Sequence, residues 1–279
     1  MEYLNFDASN YKDVRNLLND KFGHINFIEE SHQYFIGDVE YTPVSHIIKK
    51  YEYHVDWDKK AENYAKKHNQ LKEDVQRSWK LNNLRSTISG TRLHEFGESY
   101  TNLKAGYPEL ICEQNKRQYI EEFNTLVPTY PKEQQVVMFY EDGLKDYMHP
   151  VGAEFRLSTE YIDGAIPICG TCDLLFYRDD WKNPERSGFV LGDWKTNSSL
   201  MNDYNRSFQV YMKHPFDKWI DEAYNHYTLQ LNLYQKMMES IGIKIVDRML
   251  IHIKDDNYQV YNVDKIDDKI LNQVIKLKN

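Results

Sequence analysis

Apolar positions along the chain fall into two textures that meet near Pro131. Before it, spacings of three and four dominate and predict helices; after it, alternating or continuous apolar runs predict strands. Residues 10–22 predict a short helix and 24–29 a strand. Residues 32–39 alternate around Gly37-Asp38 and lead into Tyr41-Thr42-Pro43-Val44-Ser45, the pattern of a hairpin with Thr42 or Ser45 capping the next helix. Residues 46–82 are helical, polar and basic, with Trp57 and Trp79 as anchors. Ser89-Gly90-Thr91 predicts a break before a helix over 92–104, where Leu93, Phe96, Tyr100 and Leu103 form the apolar stripe. A further helix is predicted over 113–125.

Beyond Pro131, strands are predicted at 134–140, 152–161, 168–177 and 189–195. Asp142-Gly143, Asp163-Gly164 and the polar loop 178–187 separate them. A long amphipathic helix over 215–241 ends at Gly242, followed by strands at 244–253 and 258–263 and a terminal helix. The fold class is therefore α/β: a mixed central sheet flanked by helices, with an N-terminal basic helical lobe. The expected organisation is one domain over 1–279, divided into an N-terminal helix and hairpin (1–45), the helical lobe (46–130) and the α/β core (131–279).

Composition adds bounds. The 279 residues are 41% hydrophobic and 14% aromatic, with 22 Tyr, as expected of a globular chain with amphipathic rings to spare. Three cysteines argue against a disulfide scaffold, and Cys169-x-x-Cys172 lacks the second pair of a zinc site. Neither a secretory leader nor a membrane-length apolar run is evident, so the expected location is cytoplasmic, or the host cytoplasm for a phage protein. The net charge of −8 is unevenly spread. Residues 46–92 hold eleven Lys and Arg against six acids, which is +5 in that segment and −13 in the rest. A basic lobe beside an acidic body suits a protein that attracts phosphate with one part and gathers carboxylates around cations with the other.

Two segments concentrate the chemistry: Gly170-Thr171-Cys172-Asp173-Leu174-Leu175 and Val190-Leu191-Gly192-Asp193-Trp194-Lys195-Thr196. Both place acids on otherwise hydrophobic strands. Asp193 and Lys195 are two apart and leave the same strand face. A carboxylate buried on a sheet is costly unless compensated, and a divalent cation compensates it. Hydrolysis of a phosphodiester needs an activated water and charge balance at the phosphorus, which carboxylate-held Mg²⁺ and a nearby Lys can supply. The plain alternative is a buried Asp–Lys ion pair in an ordinary strand.

With Thr42-Pro43-Val44-Ser45, Gly90-Thr91-Arg92-Leu93-His94 and Gln230-Leu231-Asn232-Leu233-Tyr234, these segments make five ordered pieces. Together they resemble the PD-(D/E)xK nuclease superfamily, whose fold is restriction-endonuclease-like. Within it the chain is similar to the RecB-type exonuclease branch, which includes phage recombination exonucleases and the mitochondrial genome maintenance exonuclease. The resemblance spans about residues 32–252. It implies a Mg²⁺-dependent DNA exonuclease, with Mn²⁺ as substitute and one or two ions bound. It assigns His94, Asp173, Asp193, the backbone carbonyl of Trp194 and an acid before Gly170 to the metal. Glu154 is the first choice for that acid, with Glu133 and Glu160 as competitors. Lys195 would act on the attacking water, and Gln230 and Tyr234 would buttress the site and contact the DNA backbone. Thr42, Ser45, Lys49, Lys50, Thr91, Arg92 and Thr196 are candidate DNA contacts, and Glu98 could orient His94.

The entry motif reads Thr-Pro-Val-Ser rather than the family's Pro-Ser-Val-Thr, and the absence of a cysteine cluster predicts no iron–sulfur cluster. The expected partner is DNA, single-stranded or with a free end, in recombination, replication or DNA processing, and a recombination or replication protein is a possible second partner. A structure-specific endonuclease and a catalytically silent DNA-binding protein remain as alternatives.

Overall fold

The computed structural model of the protein describes residues 3–28, 31, 33–160 and 165–276. Helix α1 (Val14–Phe22) buries Val14, Leu18 and Phe22, a stripe spaced by four. Strands β1 (Asn26–Ile28), β2 (Gln33–Ile36) and β3 (Val39–Pro43) pair antiparallel in sequence. Helix α2 (Val44–Lys49) follows at once, with Pro43 at its cap position. Neither Thr42 nor Ser45 caps it, because Ser45 already lies in its first turn. Helix α3 (Trp57–His68) starts on Asp56, whose carboxylate accepts from Lys59 N at 3.0 Å.

Helix α4 (Lys72–Ala105) runs 34 residues, straight through the break expected at Ser89-Gly90-Thr91. A glycine inside a helix costs only about 1 kcal/mol relative to alanine. Burial of Leu93, Phe96, Tyr100 and Leu103 outweighs that. Where a helix was expected over 113–125, short 3-10 turns flank the two-residue strands β4 (Tyr119–Ile120) and β5 (Thr125–Leu126). Asn124, in the left-handed region at φ 45°, turns the chain back there.

The strand expected at 134–140 is instead helix α5 (Pro131–Met138) and a wide final turn. Pro131 in the first turn and a capping box between Tyr130 and Glu133 nucleate the helix, and this overrides the strand preference of Val136-Val137. Long strands β6 (Met148–Ser158), β7 (Ile168–Arg178) and β8 (Gly188–Lys195) follow largely as expected. A short α6 (Asp203–Ser207) then precedes α7 (Ala223–Ser240). The latter starts eight residues later than expected from its pattern. Glu222, extended at its cap, is pinned by Arg206 Nε at 2.8 Å and Asn202 N at 2.9 Å. Strands β9 (Ile245–Ile253) and β10 (Tyr258–Asn262) and helix α8 (Asp268–Ile275) complete the chain. Glu29, His32, Tyr161 and the expected Asp163-Gly164 turn lie outside the described residues.

Eight strands form one mixed sheet in the order β1-β2-β3-β7-β8-β9-β10, with β6 also on β7. Pairing is parallel for β3 with β7 and β8 with β9, and antiparallel elsewhere. β6 lines one edge of β7 from Cys169 to Arg178. The other edge is shared: β3 pairs at Ile168 and Cys169, and β8 only from Leu174 onward. The sheet therefore forks, and residues 170–173 of β7 have no strand partner on that edge among the described residues.

One buried cluster covers the sheet with α1, α2, α7 and α8, and the other with the C-terminal half of α4 and with α5. Residues 1–45 thus share the sheet of the α/β core, and the segment 46–130 is not helical throughout. The sheet with its flanking helices is the expected α/β architecture. Among the described residues, no helix is long and apolar enough to cross a membrane.

Candidate active site

The fork in the sheet is where the chemistry gathers. Alternation on β8 sends Asp193 and Lys195 to the face covered by α7. Lys195 Nζ lies 2.8 Å from Asp193 Oδ2 and 4.0 Å from the centre of the Tyr227 ring on α7. Asp193 is 1% exposed, and among the described residues neither of its oxygens receives a well-directed hydrogen bond, the Lys195 contact included. Burial and the neighbouring Asp173 charge push Asp193 well above the usual carboxylate range, against the pull of Lys195. Burial opposes the Lys195 ammonium, but Asp193 and then Asp173 outweigh it and hold the lysine charged.

Asp173 emerges at the fork. Its Oδ2 accepts from Trp194 N at 3.2 Å and lies 3.2 Å from His94 Nδ1. Burial works against its charge, but the His94 cation and the polar contacts prevail and keep Asp173 below its ordinary value. The same pair works in reverse on His94. Burial disfavours its cation, yet the Asp173 charge and contact push its pKa up to about 9.

The pairs Ala153–Leu174 and Phe155–Cys172 bracket Glu154, so it stands across β6 and β7 from Asp173. Its backbone is in the left-handed region at φ 57°, just after a register shift at Gly152. That conformation costs a non-glycine residue roughly 1–3 kcal/mol and persists where the surroundings impose it. Burial, then Asp173 and Glu98, push the Glu154 carboxyl up to about 8.

One ligand atom from each of His94, Glu154 and Asp173 lies within 4.8 Å of the other two. They stand in the wall of a cleft of about 700 Å³ that Ser45, Thr91, Gln230 and Tyr234 also line. Three carboxylates against two cations, two of the acids well above their normal range and one with unmet oxygens, form a donor set that a divalent cation would complete. Tyr234 is placed by a close approach: a Cβ on Gly170 would sit 2.6 Å from Tyr234 Cε1. Gln230 Nε2 donates to the Tyr234 hydroxyl at 3.1 Å.

Of the residues singled out in the sequence, His94, Glu154, Asp173, Asp193, Lys195, Gln230 and Tyr234 converge. Trp194 joins through its backbone, and Ser45 and Thr91 lie on the cleft wall. Thr196 packs beside Gly90, its Oγ1 3.4 Å from where a Cβ there would stand. Thr196 is therefore behind the cleft wall rather than on it, and four more candidate contacts do not join it. Thr42 is in the β3 ladder with its N–H on Pro167 O, and Lys49 and Lys50 are exposed at the end of α2. Arg92 turns away to stack on Tyr130, 3.9 Å from its ring centre. Nor does Glu98 orient His94: its carboxylate accepts from Cys112 Sγ at 3.2 Å, and burial raises its pKa. Tyr227, under Lys195, was not anticipated, although its spacing of three and seven from Gln230 and Tyr234 puts it on their stripe.

Glu160 is exposed, and Glu133 is spent on structure. Glu133 Oε2 accepts from Thr129 N at 2.7 Å, Tyr130 N at 3.2 Å and Gln118 Nε2 at 2.9 Å. Glu133→Ala is expected to lower stability by about 2 kcal/mol while the folded fraction keeps full activity. Urea denaturation beside an activity assay checks both.

No protein-family model matches the chain, and no curated protein does. Among solved structures, SSO0001 is similar over 96% of this chain and 83% of its own, at 11% identity and a TM-score of 0.35. A likeness of that order carries no argument about this chain.

Proposed function

We propose that the protein is a Mg²⁺-dependent deoxyribonuclease of the PD-(D/E)xK type, acting as an exonuclease on DNA ends. The observation that carries the reading is the convergence of His94, Glu154 and Asp173 within 4.8 Å beside the buried Asp193–Lys195 pair. His94, Glu154, Asp173, Asp193 and the Trp194 carbonyl would hold the cation. When bound, it supplies positive charge facing the scissile phosphate and makes water more acidic.

The chain's own groups do the rest. Lys195, held protonated by two carboxylates, has N–H donors for a water or for charge developing on phosphate oxygens. Tyr234, its pKa well above the ordinary value through burial, stays a neutral donor. Gln230 fills the acceptor side of that hydroxyl and leaves the O–H to reach DNA. His94 keeps Asp173 ionised, and the Trp194 N–H helps to fix it in place.

The test is digestion of end-labelled single- and double-stranded DNA with Mg²⁺, each end blocked in turn, with EDTA as control. Loss of mononucleotides from an unblocked end supports the reading, and intact DNA in Mg²⁺ sinks it. A closed circular single strand separates the alternatives, since only an endonuclease opens it.

Cation binding has its own signature. At pH 7 both Glu154 (about 8) and His94 (about 9) hold a proton that a ligand must give up. Mn²⁺ binding is therefore expected to release about one to two protons, and its affinity to rise as pH climbs from 7 to 9. Calorimetry in buffers of different ionisation enthalpy measures this, and a proton count of zero counts against ligation by these two side chains.

A further inference from the structure

Beyond the active-site cleft, α3 and the first half of α4 form a helical hairpin held by a small cluster of Ala61, Ala65, Val75 and Trp79. Its surface carries a second depression, about 970 Å³, lined among others by Trp57, Lys60, Trp79, Lys80 and Asn83. Trp57 is 61% exposed, stands edge-on to Trp79 with ring centres 6.2 Å apart, and has Lys60 Nζ 4.6 Å from its ring centre. Trp181 is likewise exposed with Lys182 beside it, but Trp57 differs in lining a depression and in having a second indole, Trp79, against it.

The depression is in line with the active site. Gln76, Asn83, Gly90 and His94 succeed one another on α4 at spacings of seven, seven and four, which puts them on one stripe of the helix. Gln76 and Asn83 line the depression, while Gly90 and His94 line the active-site cleft. The exposed Leu81, Leu84 and Ile88 lie off this stripe, Leu81 and Leu84 on the flank they share with Lys80 and Asn83. From Trp79 to His94 is fifteen residues, about 22 Å along the axis.

Resting on the nuclease reading, we propose that Trp57, with Lys60 and Lys80, is a docking station for an unpaired DNA strand. A base stacks on the exposed indole and the two ammonium groups take the flanking phosphates, about 22 Å from the site of cleavage along α4. Exposed π-faces favour unpaired bases over a duplex, whose bases are already stacked. The +5 charge of residues 46–92 suits a phosphate chain.

Fluorescence anisotropy of a labelled oligothymidylate, with the full chain in EDTA, tests the station without cleavage. Trp57→Ala is expected to weaken strand binding about tenfold, and Trp57→Phe to restore most of it. Lys60→Glu is also expected to weaken it, and a blunt duplex to bind all three variants as the wild type does. Circular dichroism confirms that the hairpin helices persist. Unchanged strand affinity in Trp57→Ala overturns the proposal, as does equal loss for strand and duplex. A dimer that Trp57→Ala dissociates in light scattering also overturns it, by making the patch a self-association surface. Failure of the nuclease reading shows separately, as intact DNA in Mg²⁺ with strand binding still dependent on Trp57.

Discussion

Lys195→Ala is expected to reduce Mg²⁺-dependent digestion about a hundred- to thousandfold, the usual loss when one donor to developing charge is removed. Binding of DNA is expected to change little, since the cleft walls and the basic segment are untouched. The variant also leaves Asp193, 1% exposed, without its cation. Breaking a buried pair from one side costs about 3–5 kcal/mol. Uptake of a proton by Asp193, already pushed upward, lowers that penalty. Stability in EDTA should therefore fall and be regained in part with Mn²⁺, which stabilises the folded chain in proportion to its binding. Single-turnover digestion and thermal melts with and without Mn²⁺ separate the two effects. Wild-type cleavage by Lys195→Ala would reduce the pair to an ordinary strand contact.

The second large effect is expected from an uncharged contact. At Gly97 of α4 an added Cβ would stand 2.5 Å from Trp194 Nε1 and 3.0 Å from Cδ1. Trp194 is 1% exposed and lies between Asp193 and Lys195 on β8, so it has no free direction in which to yield. Gly97→Ala is expected to cost about 3 kcal/mol through overpacking. It should also depress activity more than the loss of folded protein explains, because the displaced ring carries the catalytic segment of β8. Trp194 Nε1 has no hydrogen-bond partner among the described residues, so exchanging the indole for a smaller ring removes an unmet donor as well as the clash. Trp194→Phe should accordingly rescue Gly97→Ala, a coupling that a double-mutant cycle in urea denaturation detects as non-additivity. Additive costs would mean that the two residues do not press on one another.

The strands that bear the acids were legible because each is a long apolar run interrupted only by Asp173 or by Asp193 and Lys195. Such a pattern admits few other placements. The resemblance singled out Gln230 and Tyr234, and helical spacing put them within reach of one another. What the sequence obscured lies where local signals compete with distant ones. Ser89-Gly90-Thr91 carries the residues of a break, and only burial of the residues beyond it shows why α4 continues. Gln134 to Tyr140 has strand composition, and the deciding features, Pro131 and Glu133, precede it. Glu133 is also instructive for the site: it competed with Glu154 as the acid before Gly170, and only the fold shows it to be a capping acid. The left-handed backbone of Glu154 has no sequence signature; it follows a register shift between Pro150 and Gly152 that the residue pattern does not announce. Arg92 sits in the motif next to His94, yet helical rotation and Tyr130 carry it elsewhere.

The tight seat of Gly97 against Trp194 has a mechanical consequence. For a rigid rod pivoting at that seat, the two arms of the lever would be very unequal. Trp79 lies eighteen residues from Gly97, about 27 Å, whereas His94 lies three away, about 4.5 Å. A rocking motion of the hairpin tip is thus geared down about sixfold before it reaches the imidazole. Tugging on the tip by a few ångströms would shift His94 by only a few tenths, so the outer arm can sway while the ligand geometry stays within tolerance.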